Sequence, residues 1–269
     1  MKRNYKMSIS YDGTRYYGWE HQPDTELTIQ GKIEMVLAKM TGLVPLEAEE
    51  GAEPIQKIYD SLDDNKKINV IAAGRTDAGV HAKAMIANVH LDTDMDEKDI
   101  QKYMNRYLPD DICINELKAC SDRFHARYNA LAKTYCYTLC AGESKPVFDR
   151  KYVTVLDEKP DVEAMKKAAE VLEGTHDFKS FCANPRMKKS TVRMVDSITF
   201  KCSGPYIRIY FHGNGFLQNM VRILTGTLLE VGFGRMTPSD VEKIMEAKDR
   251  KLAGPTAKPC GLSLMEVEY

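Results

Sequence analysis

The chain has 269 residues, 43% of them hydrophobic and 29% charged, which is ordinary globular usage and excludes a disordered or collagen-like chain. Its 38 Lys and Arg stand against 39 Asp and Glu, a net charge of −1, so a polyanion site would have to come from local clustering. No apolar run approaches the roughly 18–20 residues that span a bilayer. The basic start Lys2-Arg3-Asn4-Tyr5-Lys6 passes straight into alternating Met7, Ile9 and Tyr11, without a signal-peptide core. Seven cysteines without CxxC spacing fit buried thiols in a reducing compartment. The expectation is a soluble, cytoplasmic protein of one large domain or two small ones.

In chain order, Tyr5 to Tyr11 alternates like a strand and Asp12-Gly13 is turn chemistry. Ile29, Ile33, Val36, Leu37 and Met40 recur at helical spacing, with Gly42 placed to stop that helix. Ile68 to Ala73 reads as a second strand ending in the loop Gly74 to Gly79, and Met85 to Leu91 as a third. Asp96 can cap a helix carrying Ile100, Tyr103, Met104 and Tyr107. In the second half, Thr134 to Cys140 reads as a strand. Asp161 caps a helix that Gly174 should end, and Val192 to Phe200 and Tyr206 to His212 are strands. A long helix is expected from about Phe216 to Val231. Another starts at Thr237-Pro238-Ser239-Asp240, which has cap, N1 proline and N3 acid, and a last strand covers Leu262 to Val267. The natural division is two α+β halves, 1–125 and 126–269.

Residues 47–67 stand apart, with seven acids against three lysines in a helix-to-strand connection that is usually only a few residues long. They read as a solvated surface insertion. Several motifs fail on inspection. The calcium-loop start at Asp92 has Glu97 where glycine is required, Gly213-Asn214-Gly215 lacks the third glycine of a dinucleotide loop, and the six histidines never fall at zinc-ligand spacing. No cofactor and no metal is expected.

What remains is Ala73-Gly74-Arg75-Thr76-Asp77-Ala78-Gly79-Val80-His81-Ala82, a carboxylate at a strand exit between glycines that permit close approach of a ligand. By residue type alone Asp77 is a turn former and Arg75 a surface charge. Arg222 is then an exposed helix residue, Tyr135 a core residue of its strand and Leu262 a packing residue.

This decapeptide resembles the catalytic motif of TruA-type tRNA pseudouridine synthases. The resemblance extends to Tyr11-Asp12-Gly13-Thr14, Tyr17-Gly18-Trp19, Phe124-His125-Ala126-Arg127, Lys133-Thr134-Tyr135-Cys136-Tyr137 and His176-Asp177-Phe178. It continues through Gly213-Asn214-Gly215-Phe216-Leu217, Met220-Val221-Arg222, Ala253-Gly254-Pro255-Thr256-Ala257 and Gly261-Leu262. These blocks stand in family order over nearly the whole chain outside 47–67.

The resemblance implies two similar α+β domains with mainly antiparallel sheets and an active-site cleft between them. It implies isomerisation of uridine to pseudouridine in the anticodon stem-loop of tRNA, around positions 38–40, by a homodimer without cofactor. Asp77 becomes the essential carboxylate, Arg222 the cation that balances it, Tyr135 the aromatic on the uracil, and Arg75 and Leu262 further substrate contacts. Two basic groups then read as phosphate contacts: Arg123, Arg127 and Lys133, and the acid-free run with Lys179, Arg186, Lys188, Lys189 and Arg193. The chain departs from the family pattern at Glu20-His21, at Ala84-Met85 (usually Gly-Gln) and at Lys258-Pro259-Cys260, none of which removes a catalytic group. A non-catalytic RNA-binding protein on the same scaffold, or a carboxylate-based nucleoside hydrolase, would keep part of this pattern.

Overall fold

Tyr5, Met7, Ile9 and Tyr11 are all buried while Lys6, Ser8 and Ser10 between them are not, which makes Lys2–Tyr11 an amphipathic strand, β1. The computed structural model describes residues 2–48, 52–143 and 145–269 and divides into two units, Met1–Ala130 and Leu131–Tyr269. The first unit continues with α1 (Ile29–Met40), α2 (Ile55–Asp60), β2 (Ile71–Ala72), β3 (His81–Asp92), α3 (Glu97–Tyr107) and β4 (Ile112–Cys120). β1 lies between β3 and β4, antiparallel to both, and β2 pairs with β3.

Local chemistry sets the helix ends. The Thr28 hydroxyl accepts from the Gly31 N–H and the Asp96 carboxylate from the Asp99 N–H, each filling an orphan donor of a first turn. Gly42, at φ +73°, follows the end of α1. The strand expected over 68–73 is reduced to β2. The missing ladder bonds are replaced by side chains: Tyr59 Oη donates to the Ile68 carbonyl (2.9 Å) and the Val70 N–H donates to Glu34 Oε1 (3.0 Å). β4 escapes the sequence reading because a register shift at Ser8/Ile9 in its pairing with β1 breaks its alternation of buried residues.

The expectation of a wholly solvated 47–67 insertion is corrected here. Its acids Glu49 and Glu50 lie outside the described residues, but α2 carries Tyr59, which is 1% exposed. The Tyr59 ring stacks on His21, with centroids 6.3 Å apart. Part of the insertion is therefore core.

The second unit holds β5 (Ala132–Cys140), β6 (Thr154–Val155), α4 (Val162–Leu172), β7 (Gly174–Asp177), β8 (Val192–Ser203), β9 (Tyr206–Gly213), α5 (Met220–Gly232), α6 (Pro238–Ala247) and β10 (Leu262–Glu268). The strand order is β10-β5-β9-β8-β7, antiparallel throughout, while β6 runs parallel to its neighbour β5. α6 begins with the expected capping box of Thr237 and Asp240. α5 starts at Met220 rather than near Phe216, because Asn219 takes the left-handed conformation (φ 59°) and breaks the helical run before it. Gly174, at φ +104°, opens β7, a strand the sequence pattern did not show. The protein is mixed α+β with a mainly antiparallel sheet. Among the described residues, no helix is long and apolar enough to cross a membrane.

Candidate active site

In the first unit, the chain leaves β2, makes one further ladder bond from the Ala73 N–H to the Ile86 carbonyl, and enters the 74–80 loop. The segment after β1 grips that loop by main chain. The Trp19 N–H donates to the Thr76 carbonyl (3.0 Å) and the Gly79 N–H to the Tyr16 carbonyl (3.2 Å). The buried Thr76 hydroxyl shares a 2.8 Å hydrogen bond with Tyr11 Oη. The approach is so close that side chains are excluded. A Cβ on Gly18 would lie 2.7 Å from the Thr76 oxygen, and one on Gly13 would lie 2.0 Å from that of Val80. Nδ1 of buried His81 lies 3.0 Å from the Gly13 main-chain nitrogen and 3.2 Å from Asp12 Oδ1, which ties the end of β1 to the start of β3. Asp77 is thus a half-buried carboxylate on a backbone fixed from both sides, with its own carbonyl accepting from the Val80 N–H (3.1 Å). Arg75 is exposed and pairs with Glu20 at 2.5 Å, so the departure from the family pattern at residue 20 touches the loop directly.

Glu20 is followed by a cluster that reaches the insertion. His21 Nδ1 lies 3.2 Å from Glu34 Oε2, and Nε2 lies 3.4 Å from Asp60 Oδ1 of α2. Glu34 is nearly fully buried, and its Oε1 also accepts from Gln30 Nε2 (2.8 Å). The hydrogen bond to Glu34, with Asp60 adding to it, holds the His21 pKa above its usual value against the effect of burial.

In the second unit, Tyr135 and Leu262 share one face of the sheet. Leu264 is opposite Tyr135 and Leu262 is opposite Tyr137, which makes Tyr135 and Leu262 diagonal neighbours. Phe216 meets the Tyr135 ring edge-on, with centroids 5.3 Å apart. Both Tyr135 and Leu262 are buried. Arg222, on α5, is half-buried rather than on an open solvent face, because the 253–257 segment packs over that side of the helix. Its Nε donates to the Ala257 carbonyl (2.8 Å) and a terminal nitrogen donates to Asn219 Oδ1 (2.7 Å). The next carbonyl, that of Lys258, accepts from Tyr137 Oη (2.7 Å). Asn219 and Ala257 are therefore positioning groups for Arg222 that sequence reasoning missed; the backbone conformation of Asn219 left no mark in the residue pattern.

The basic residues have unequal settings. Arg123 and Arg127 are exposed in the turn after β4, and Lys133 lies half-buried on β5. Lys179 is exposed on the short 3-10 turn Phe178–Phe181, and Arg186, Lys188 and Lys189 are exposed in the loop that follows. Arg193 differs: one terminal nitrogen donates to the Ser190 (2.9 Å) and Val192 (2.6 Å) carbonyls, and partial burial lowers its pKa. Among the described residues, no cluster of His, Cys, Asp and Glu is arranged to hold a metal ion.

Each unit thus holds its own part of the predicted set: the first a carboxylate on a strand-exit loop, the second an oriented guanidinium and a buried aromatic ring. Comparison with known proteins then shows the family. The family model described as tRNA pseudouridine synthase matches residues 7–129 and 168–269. The chain is 43% identical over 267 residues to "tRNA pseudouridine synthase A 1" of Clostridium tetani (strain Massachusetts / E88), covering 99% of this chain and 100% of that protein. It is 41% identical over 266 residues to "tRNA pseudouridine synthase A" of Bacillus sp. (strain KSM-64), covering 99% of each. With this extent of match, the chain belongs to the TruA family of tRNA pseudouridine synthases, which are isomerases.

Proposed function

We propose that this chain converts uridine to pseudouridine in the anticodon stem-loop of tRNA, around positions 38–40, with Asp77 as the catalytic carboxylate. The supporting observation is the double clamp on the 74–80 loop, where Gly13 and Gly18 let the main chain approach closely and so fix where Asp77 starts from. The reaction breaks the C–N glycosidic bond, turns the uracil and rejoins it to the ribose through C5, so the C5 hydrogen leaves as a proton. It moves no electrons to or from another molecule. One ionised carboxylate can stabilise or capture the electron-poor sugar carbon. Keeping it ionised away from water needs a cation, the role given to Arg222. Tyr135, with Phe216 and Leu262, supplies the apolar surface for the flipped base, and Arg75 contacts the substrate. The proposal includes a homodimer working in the cytoplasm, with one tRNA touching both subunits.

The test is release of tritium from C5-labelled uridine in tRNA by the wild-type chain and by Asp77→Asn. The variant keeps the size of the side chain but removes its charge. Release should vanish while tRNA affinity stays within a few-fold, since most binding energy comes from phosphate contacts. Near wild-type release by the variant would overturn the assignment of Asp77. Light scattering of the free chain tests the dimer.

A further inference from the structure

The turn 121–129, outside every residue given a role in the chemistry, is built with unusual care. Two asparagines in the middle of strands, Asn4 on β1 and Asn88 on β3, are almost fully buried and joined by a 3.0 Å hydrogen bond from Asn88 Nδ2 to Asn4 Oδ1. Asn4 Nδ2 donates to the Ser121 and Phe124 carbonyls, both at 2.9 Å, and Asn88 Oδ1 accepts from the Ala126 N–H at 2.8 Å. An apolar pair would serve the sheet as well, because burying amides gains little net stability and is costly if any bond is lost. What these amides specify is the position of the turn.

The turn uses that rigidity to hold an aromatic ring in solvent. Tyr128 is 76% exposed, and one face of its ring lies on the His125 imidazole, with centroids 4.1 Å apart and planes 29° apart. His125 cannot swing away, since its Nδ1 accepts from the Arg127 and Tyr128 N–H groups (3.2 Å each). Its backbone is tied to Asn129 in both directions. Exposed Arg123 and Arg127 belong to the same turn, and among the described residues neither is paired with an acidic side chain. The ammonium of Lys6 lies over the Phe124 ring, 5.2 Å from its centroid. The turn's one acid, Asp122, is outnumbered by these cations.

We propose that Tyr128 is an RNA contact separate from the uridine site: the open face of its ring stacks on an unpaired nucleobase of the tRNA, while Arg123 and Arg127 take adjoining phosphates. This rests on the tRNA reading above. A flat ring supported on one face, open on the other and sharing its turn with two exposed guanidinium groups fits a base next to its phosphates. Being indifferent to which base it meets, such a platform positions a loop without reading its sequence.

The experiment measures tRNA affinity and C5 tritium release for Tyr128→Ala, Tyr128→Leu, Tyr128→Phe and the wild-type chain. Since the side chain is exposed, the melting temperatures should agree within about 2 °C. Loss of one stacked base should weaken tRNA binding roughly 5- to 150-fold in the Ala and Leu variants. KM should rise in step and kcat should not move. Phe, which keeps the π face, should restore binding, and Leu, which keeps apolar bulk alone, should not. Wild-type affinity in Tyr128→Ala, a Phe variant as weak as Ala, or a fall in kcat at unchanged KM would each overturn the proposal. So would a change in oligomeric mass that accounts for the weakened binding. If the wild-type chain itself releases no tritium from tRNA, it is the proposed function that fails; an active wild type with an indistinguishable Tyr128→Ala sinks the platform alone.

Discussion

Gly226 lies one helical turn beyond Arg222 on α5, and Gly226→Ala should damage catalysis through a neighbour that contains no catalytic group. A Cβ at this position would sit 1.7 Å from the Pro255 carbonyl oxygen and 2.9 Å from its carbon. Both contacts are main chain, so no rotamer change relieves them. To clear even 3.0 Å the 255–257 segment has to withdraw by about 1.3 Å. Ala257 lies on that segment. Its carbonyl accepts from Arg222 Nε at 2.8 Å and its N–H donates to the Arg222 carbonyl at 3.1 Å. A shift of that size takes both beyond hydrogen-bonding range. Alanine is favoured over glycine in a helix by about 1 kcal/mol, but forced overpacking costs about 1–3 kcal/mol, so the clash prevails and the variant should melt a few degrees lower. The larger effect is on rate. A displacement near 1 Å of a group that positions the reacting partners can cost about 100-fold. Single-turnover tritium release should therefore fall by roughly 10- to 100-fold, with tRNA affinity close to wild type. A Gly226→Ala variant that folds and turns over at the wild-type rate would refute the claim that the 253–257 segment orients Arg222.

Four further outcomes are expected. Arg222→Lys puts one rotatable ammonium in place of the two nitrogens that meet Ala257 and Asn219 in a fixed planar fork; losing one charged hydrogen bond should slow single turnover about tenfold or more, and an unchanged rate would exclude an oriented guanidinium. Tyr59→Ala should cost about 3–5 kcal/mol and lower the melting temperature by roughly 6–20 °C, whereas a shift of a degree or two would restore the solvated-insertion reading. The His21 pKa is raised, chiefly by Glu34, so the stability it contributes is fully present below its unfolded value of about 6.5 and is lost as pH rises through the higher folded value. Chemical denaturation of wild type and His21→Gln should accordingly show a gap that narrows as pH rises through that window, and a widening gap would reverse the assigned sign. Lys188→Gln with Lys189→Gln should flatten the log–log salt dependence of tRNA binding by about 0.7–0.9 per lost phosphate contact, and an unchanged slope would leave that loop merely solvated.

The features legible in the sequence are those whose energetics close within a few residues. Thr28, Asp96 and Thr237 cap helices because a side chain and an N–H three residues on satisfy each other. The alternation of β1 is visible because one face is buried from Tyr5 to Tyr11. Asp77 and its companions were legible only as a family pattern. Nothing in their residue types excludes a turn, a surface charge or a core tyrosine. The tertiary structure decided the rest. β4 loses its alternation to a register shift in a partner more than a hundred residues away, and residues 68–70 lose their ladder to Tyr59 and Glu34. Gly13 and Gly18 are required by the backbone of a loop some sixty residues downstream, and Gly226 by a carbonyl about thirty residues on. A helical wheel leaves Arg222 facing water because a wheel holds only its own helix. The segment that covers that side is fixed by close packing between stretches far apart in the chain, and neither stretch encodes that contact by itself.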